Sequence, residues 1–148
     1  MLARELMTRD PLCVLPTDPI WQAAEIMRYH GIGCTPVVAD ETSRRVVGML
    51  TDRDIATRCV ARKHVARCTV SDHMTSTPIH SVLATDDAPR VMHRMEQARV
   101  RRLPVLSDDG ALIGIISQGD VLRRLGHQEP LLVERSMEHV YAGSTFVR

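Results

Sequence analysis

Aromatic residues make up 3% of this 148-residue chain, with one Trp, two Tyr and one Phe. A binding surface built on stacking a flat ring between aromatic side chains is therefore excluded as the main device. Charge of one sign is also missing: 19 Lys and Arg against 18 Asp and Glu leave a net charge of +1. That balance gives no broad electrostatic footprint for nucleic acid or an anionic membrane, so any anion must be bound locally. No apolar stretch approaches the roughly 20 residues that cross a bilayer. The first structured segment begins almost at Met1, which leaves no room for the basic and apolar regions of a cleaved signal. The expectation is a cytoplasmic protein with neither a nucleic-acid partner nor a membrane partner. The four cysteines, Cys13, Cys34, Cys59 and Cys68, form no C-x-x-C pair and read as reduced thiols used as small hydrophobes. There is no G-x-S-x-G and no recognised catalytic Cys pattern, so no catalytic residue is assigned and the chain is not read as an enzyme. His73 and His80 fall near Cys68 without metal-ligand spacing, so no metal site is assigned.

What the chain does have is a repeat. Gly48-Met49-Leu50-Thr51-Asp52-Arg53-Asp54-Ile55 reappears as Gly114-Ile115-Ile116-Ser117-Gln118-Gly119-Asp120-Val121, and Met7-Thr8 with Pro11 reappears as Met74-Thr75 with Pro78. Each copy alone is of a size at which a single core is marginal, so the copies are expected to share one. The expected boundaries are 1–66 for the first repeat, 67–126 for the second and 127–148 for an apolar tail packing on the module or on a dimer partner.

Both copies read as strand, helix, strand, strand, helix, an α/β (α+β) pattern. In the first, Leu12 to Leu15 is a strand candidate, Thr17 caps a helix carrying Ile20, Ala23 and Met27, and Pro36 to Val38 pairs with Val46 to Leu50. In the second, Pro78 to Leu83, a helix capped by Thr85, Leu103 to Leu106 and Leu112 to Ile116 follow in the same order. Thr51 and Ser117 each open a closing helix.

This ordered recurrence resembles a tandem pair of CBS motifs, or Bateman module, over about residues 1 to 125. The resemblance rests on Met-Thr before a Pro-containing strand, Thr17-Asp18 and Thr85-Asp86, the Thr35-Pro36-Val37-Val38 and Leu103-Pro104-Val105-Leu106 strands, and the closing Gly-x-x-Thr/Ser-x-x-Asp. It implies two CBS repeats packed as a pseudo-twofold pair, with clefts between them for adenosine-containing ligands. It further implies a regulatory rather than catalytic role, a homodimer, and an output through an effector protein or through assembly. No cofactor is required; AMP, ADP, ATP or S-adenosylmethionine would act as a regulatory ligand.

Thr51-x-x-Asp54 and Ser117-x-x-Asp120 are also capping boxes, which need no ligand. In a ligand site the same helix start offers free amides to phosphate, and its carboxylate can accept ribose hydroxyls. Both readings stand, and they can coexist. The copies differ at Val100-Arg101-Arg102-Leu103, which faces Ile32-Gly33-Cys34-Thr35 in the first copy. The resemblance points to Arg101 as a phosphate ligand, with Arg102 as the other choice. Apolar walls for adenine would come from Pro11, Leu12, Pro78, Ile79, Pro36 and Pro104, whereas Trp21 is assigned to packing or a partner surface. The competing reading is a structural or interaction protein whose clefts have lost their ligands, with Gln118-Gly119 replacing Asp52-Arg53.

Overall fold

The computed structural model describes residues 1–63 and 67–125. The tail expected over 127–148 lies outside the described residues. The chain divides into two compact units, and each includes a short segment that precedes the body of the other copy. Of the described residues, the first-copy unit holds those of 10–79 with Asp109–Leu112; the second-copy unit holds Met1–Arg9, His80–Asp108 and 113–125.

In chain order the elements are α1 (Ala3–Leu6), β1 (Thr8–Arg9), α2 (Ile20–His30), β2 (Cys34–Val38), β3 (Val46–Thr51), α3 (Asp52–Asp54), β4 (Val82–Leu83), α4 (Ala88–Ala98), β5 (Arg102–Leu106), β6 (Leu112–Ser117) and α5 (Gln118–Leu125). Helix α3 runs on through a π-helical stretch, Ile55–Cys59, and a 3-10 turn, Val60–Arg62.

In the first-copy unit β2 and β3 pair antiparallel, with Cys34 opposite Thr51 and Thr35 opposite Leu50. Strand β2 is buried along its whole length, as a β-branched run between two packed layers should be. Val14 bridges Val37 in parallel, and Thr75 bridges Met49 through two backbone hydrogen bonds of 2.9 Å. Helix α2 turns Ile20, Ala23 and Met27 inward, the spacing of one helical face. It ends at Gly31, whose φ of 64° closes the last turn in a conformation that costs glycine little.

The second-copy unit carries a four-stranded sheet in the order β1-β6-β5-β4. Val82 lies opposite Val105 in a parallel pair, and Thr8 opposite Ile115 in an antiparallel one. These repeat the Val14 with Val37 and the Thr75 with Met49 bridges of the other unit, so the doubled sequence becomes doubled backbone pairing.

Two local expectations change. The helices begin later than Thr17 and Thr85: α2 starts after Pro19, and α4 is capped by Asp87, whose carboxylate accepts the Arg90 N–H at 2.9 Å. The reason is that Asp18 and Asp86 first close turns, accepting the N–H groups of Leu15 and Leu83 at 2.7 and 2.8 Å. The strands sought over Leu12 to Leu15 and Pro78 to Leu83 shrink to the Val14 bridge and to Val82–Leu83. Pro11, Pro16 and Pro78 have no N–H to donate to a ladder.

Among the described residues, buried apolar side chains form one cluster within each unit. Val14, Ile20, Met27, Val37, Leu50, Ile55 and Val70 are in one; Leu6, Val82, Val91, Met95, Val105, Ile116 and Val121 are in the other. Leu6 and Val70 come from the short preceding segments, which enlarge cores that each copy's own body would leave smaller.

Candidate functional site

Strand β3 enters α3 at Thr51 and β6 enters α5 at Ser117, and the two junctions are built alike. Thr51 Oγ1 accepts the Asp54 N–H at 3.1 Å while Asp54 Oδ2 accepts the Thr51 N–H at 3.0 Å. Ser117 Oγ accepts the Asp120 N–H at 3.1 Å, Asp120 Oδ2 accepts the Ser117 N–H at 3.0 Å, and the Ser117 hydroxyl donates to that same oxygen at 2.6 Å. Such reciprocal caps contribute about 1 kcal/mol each.

The remaining carboxylate oxygen faces an arginine one turn on: Arg58 at 3.4 Å from Asp54 Oδ1, and Arg123 at 2.9 Å from Asp120 Oδ1. With the arginine side chains 46% and 75% exposed, these pairs add little stability. They do orient the carboxylates, which remain 14% and 24% accessible.

Around the first junction, the ladder of β2 and β3 gathers several of the expected residues. Thr35, fully buried, donates its hydroxyl to the Leu12 carbonyl at 2.8 Å and so holds the Pro11 to Cys13 segment beside β2. Arg44 adds a bond to the Pro11 carbonyl at 3.3 Å. Pro36 is buried in β2 opposite Met49. Pro11, Leu12, Pro36, Thr51 and Asp54 thus belong to one unit.

Around the second junction, the Arg101 carbonyl accepts the Gln118 N–H at 2.9 Å, which sets its backbone against the Ser117 box. Its side chain is exposed, as is that of Arg102, and Pro104 is buried in β5. Gly33 occupies the matching place in the other unit, its carbonyl accepting the Asp52 N–H at 3.1 Å. A Cβ on Gly33 would come within 2.9 Å of an Asp52 carboxylate oxygen. One junction therefore carries no side chain where the other carries a guanidinium, and a side chain at Gly33 would first have to displace the Asp52 carboxylate. Pro78, exposed, and Ile79, half-buried, end the first-copy unit and are not part of the unit that holds Ser117.

The sequence reading named Thr35 only as part of a strand motif, not as the residue that holds the Pro11 to Cys13 segment, and it did not single out Arg44. Thr35 could have been noticed as a hydroxyl opening a buried apolar run; Arg44 has no signal within the polar 40–45 connection. Cys13, half-buried, has its thiol pKa raised by burial, with Arg44 pulling the other way. Burial pushes the Cys59 thiol up to about 11, aided by Cys68 beside it.

Two concave surfaces among the described residues lie apart from the hydroxyl-x-x-Asp side chains. One, along α4, is lined by Ser81, Asp86, Arg90, His93 and Arg94 among others. The other, on α2 and the helix that α3 begins, is lined by Ala24, Met27, Ile32 and Ile55 and reaches Gly33 and Asp52.

A doubled strand-to-helix junction with a hydroxyl and an aspartate defines a recognised class. The CBS domain pattern matches residues 3–61 and again 70–127, so the chain belongs to the CBS domain family and carries two CBS repeats. It is similar to Hypoxic response protein 1 of Mycobacterium tuberculosis, at 33% identity over 123 residues that span 83% of this chain and 84% of that protein. A crystal structure of Hypoxic Response Protein I with two coordinated zinc ions superposes with a TM-score of 0.75 at 32% identity, covering 84% of this chain and 99% of that one. The CBS domain pair of protein MJ0100, in complex with 5'-methylthioadenosine and S-adenosyl-L-methionine, gives a TM-score of 0.75 at 25% identity, covering 87% and 98%. Among the described residues no helix is long and apolar enough to cross a membrane.

Proposed function

We propose that this chain is a regulatory module that binds an adenosine-containing ligand at its hydroxyl-x-x-Asp junctions and signals by a change of conformation or assembly, without chemistry on the ligand. The observation that carries this reading is the backbone hydrogen bond of 2.9 Å from the Gln118 N–H to the Arg101 carbonyl, which sets Arg101 beside the Ser117 and Asp120 box at a helix start. The positive end of the helix dipole favours an anion, a guanidinium can hold phosphate through two parallel bonds, and the accessible Asp120 carboxylate can accept ribose hydroxyls. AMP, ADP or ATP suits that junction. The Thr51 and Asp54 junction, where Gly33 stands in the place of Arg101, suits an adenosyl compound without phosphate, such as S-adenosylmethionine. The likeness to the MJ0100 pair, which holds two such adenosyl compounds, supports the ligand class. Apolar contacts for adenine are assigned to Pro11, Leu12 and Pro36 at one junction and to Pro104 at the other, with Pro78 and Ile79 as further wall residues.

Regulation requires the ligand to prefer one state of the module over another. The output passes to a second copy of the chain or to an effector protein; Trp21 and Tyr29, 55% and 79% exposed on α2, offer apolar surface for such contact. A reducing, cytoplasmic setting goes with this reading, in which the four cysteines, none of them in a disulfide here, are kept as thiols.

A second reading has its own observation. Each aspartate already serves its cap and an arginine, which is what a structural pair without ligand requires. Thermal denaturation against AMP, ADP, ATP, NAD and S-adenosylmethionine separates the two. A ligand at 100 times its Kd stabilises by about 2.7 kcal/mol, whereas Asp54→Ala or Asp120→Ala lowers the unliganded protein by about 1 kcal/mol in either case. Loss of the ligand shift in one of those variants supports the sensor. Identical melting across the panel refutes it, and a shift that survives both substitutions refutes the residue assignment.

A further inference from the structure

The two units supply an internal comparison that the ligand junctions do not exhaust. Backbone hydrogen bonds fix their register: the Ile20 N–H donates to the Cys68 carbonyl at 2.9 Å as the Ala88 N–H does to the Met1 carbonyl at 3.0 Å. The Met74 N–H donates to the Val70 carbonyl, and the Met7 N–H to the Ala3 carbonyl, both at 2.9 Å. With Thr51 matching Ser117 and Asp54 matching Asp120, Cys59 takes the place of Leu125, His73 that of Leu6 and Cys68 that of Met1.

Leu125 and Leu6 are ordinary core residues, 3% and 1% exposed. Leucine thus satisfies packing at these places in this fold. The first-copy unit instead buries Cys59, Cys68 and His73 at 0%, 7% and 5% exposure and brings one ligand atom from each within 4.8 Å of the others. Burying an imidazole is costly, and the leucine at the matching place shows that the fold does not need one there.

We propose that Cys59, Cys68 and His73 form a binding site for a borderline-soft divalent cation, zinc by the chemistry of its donors. Two sulfurs and an imidazole nitrogen are a zinc donor set. Tetrahedral zinc bonds of about 2.3 Å to sulfur and 2.0 Å to nitrogen put neighbouring donors about 3.5 to 3.8 Å apart. The observed spread closes to that by about 1 Å, within reach of side-chain rotation. On binding, both thiols release their protons to solvent; two thiolates, a neutral imidazole and a divalent cation then sum to no net charge, which suits a buried site. The fourth position is left to water or a small exogenous ligand.

The site joins different parts of one unit. Cys59 ends the π-helical continuation of α3, whereas Cys68 and His73 flank the 3-10 turn Val70–Asp72 in the segment that adds Thr75 to β3. A cation there clasps that segment to the rest of the unit and stabilises it, independently of the nucleotide reading.

The test uses the full chain, reduced and stripped of metal, titrated with Zn2+ and separately with Co2+. Stoichiometric binding is expected, with the intense visible bands of tetrahedral cobalt and a thiolate-to-cobalt charge-transfer band that zinc abolishes. The melting temperature should rise with Zn2+ and fall back with a chelator. Cys59→Ser, Cys68→Ser and His73→Gln should each weaken binding and change the spectrum, whereas Cys34→Ser, at a buried cysteine outside the cluster, should do neither. Since polar variants can unfold the core, the double variant Cys59→Leu with His73→Leu copies the residues of the other unit; it should remain folded and bind no metal at this site. Absence of stoichiometric metal on the wild type, cobalt without thiolate charge transfer, undiminished binding in the cluster variants, or the mass deficit of a Cys59–Cys68 disulfide in the protein as isolated would each overturn the proposal.

Discussion

Replacing Arg101 with alanine should separate ligand affinity from stability. In the unliganded protein the role observed for Arg101 is that of its backbone, whose carbonyl accepts the Gln118 N–H at 2.9 Å, and alanine preserves it. The side chain is exposed, so its removal should change stability by no more than about 0.5 kcal/mol. A hydrogen bond from a guanidinium to phosphate is worth about 1.5 to 3 kcal/mol, which is roughly a tenfold to 100-fold loss of affinity. Isothermal titration with AMP or ATP reads this loss directly, and thermal denaturation without ligand verifies the unchanged fold. 5'-Methylthioadenosine has no phosphate, so its affinity should be indifferent to the substitution. Arg102→Ala is the paired control, because Arg102 begins β5 and is also exposed. A loss confined to Arg102→Ala would move the phosphate contact to that residue. AMP affinity unchanged in both variants, or an equal loss for 5'-methylthioadenosine, would refute the argument from charge.

Two further expectations concern the core and the thiols. Leu50 and Ile116 are matched positions in β3 and β6, each 0% exposed, so Leu50→Ala and Ile116→Ala should each cost about 2 to 5 kcal/mol, read as a lowered urea midpoint; a cost below 1 kcal/mol would contradict their burial. Cys13 is half-buried whereas Cys34, Cys59 and Cys68 are buried, so iodoacetamide should label Cys13 first in the native protein. Burial raises its pKa above the usual thiol value and Arg44 opposes that shift; its thiolate fraction near neutral pH is therefore lower than that of a free thiol. Labelling should be slower than for a small thiol, should accelerate as the pH rises, and should slow further in Arg44→Met; faster labelling in that variant would contradict the electrostatic sign.

The repeat made the element order legible, because a motif that recurs with its flanking residues constrains register as well as type. Its details were less legible where one residue type serves two ends. Thr17 and Thr85 have the composition of helix caps, but Asp18 and Asp86 close turns first, and the helices wait for Pro19 and Asp87. Leu12 to Leu15 is apolar enough for a strand, yet only Val14 pairs, since apolar content does not replace the amide donors that proline lacks. The contrast of Arg101 with Gly33 was readable from alignment alone. The association of Cys59 with Cys68 and His73 was not, because their spacing matches no ligand pattern.

What the copies share and where they part answer different questions. Gly48 and Gly114 recur because β3 and β6 each pass beneath a methionine: a Cβ on Gly48 would come within 2.6 Å of Met74 Sδ, and one on Gly114 would collide with Met7. The repeated Met-Thr and the repeated glycine are thus two sides of one contact, made once in each unit, and their recurrence is explained by folding. The same holds for the capping boxes, whose hydrogen bonds form identically at both junctions. A residue that differs between matched places is under no such obligation to the shared fold, because the other copy shows the fold forming without it. Arg101 against Gly33, and Cys59 with His73 against Leu125 with Leu6, are differences of that kind, and each replaces a neutral or apolar occupant by one with specific binding chemistry. Replacing Cys59 and His73 by leucine, their counterparts in the other copy, is therefore a sharper probe of binding than alanine, since it removes the chemistry while keeping an apolar side chain that the matching backbone accommodates.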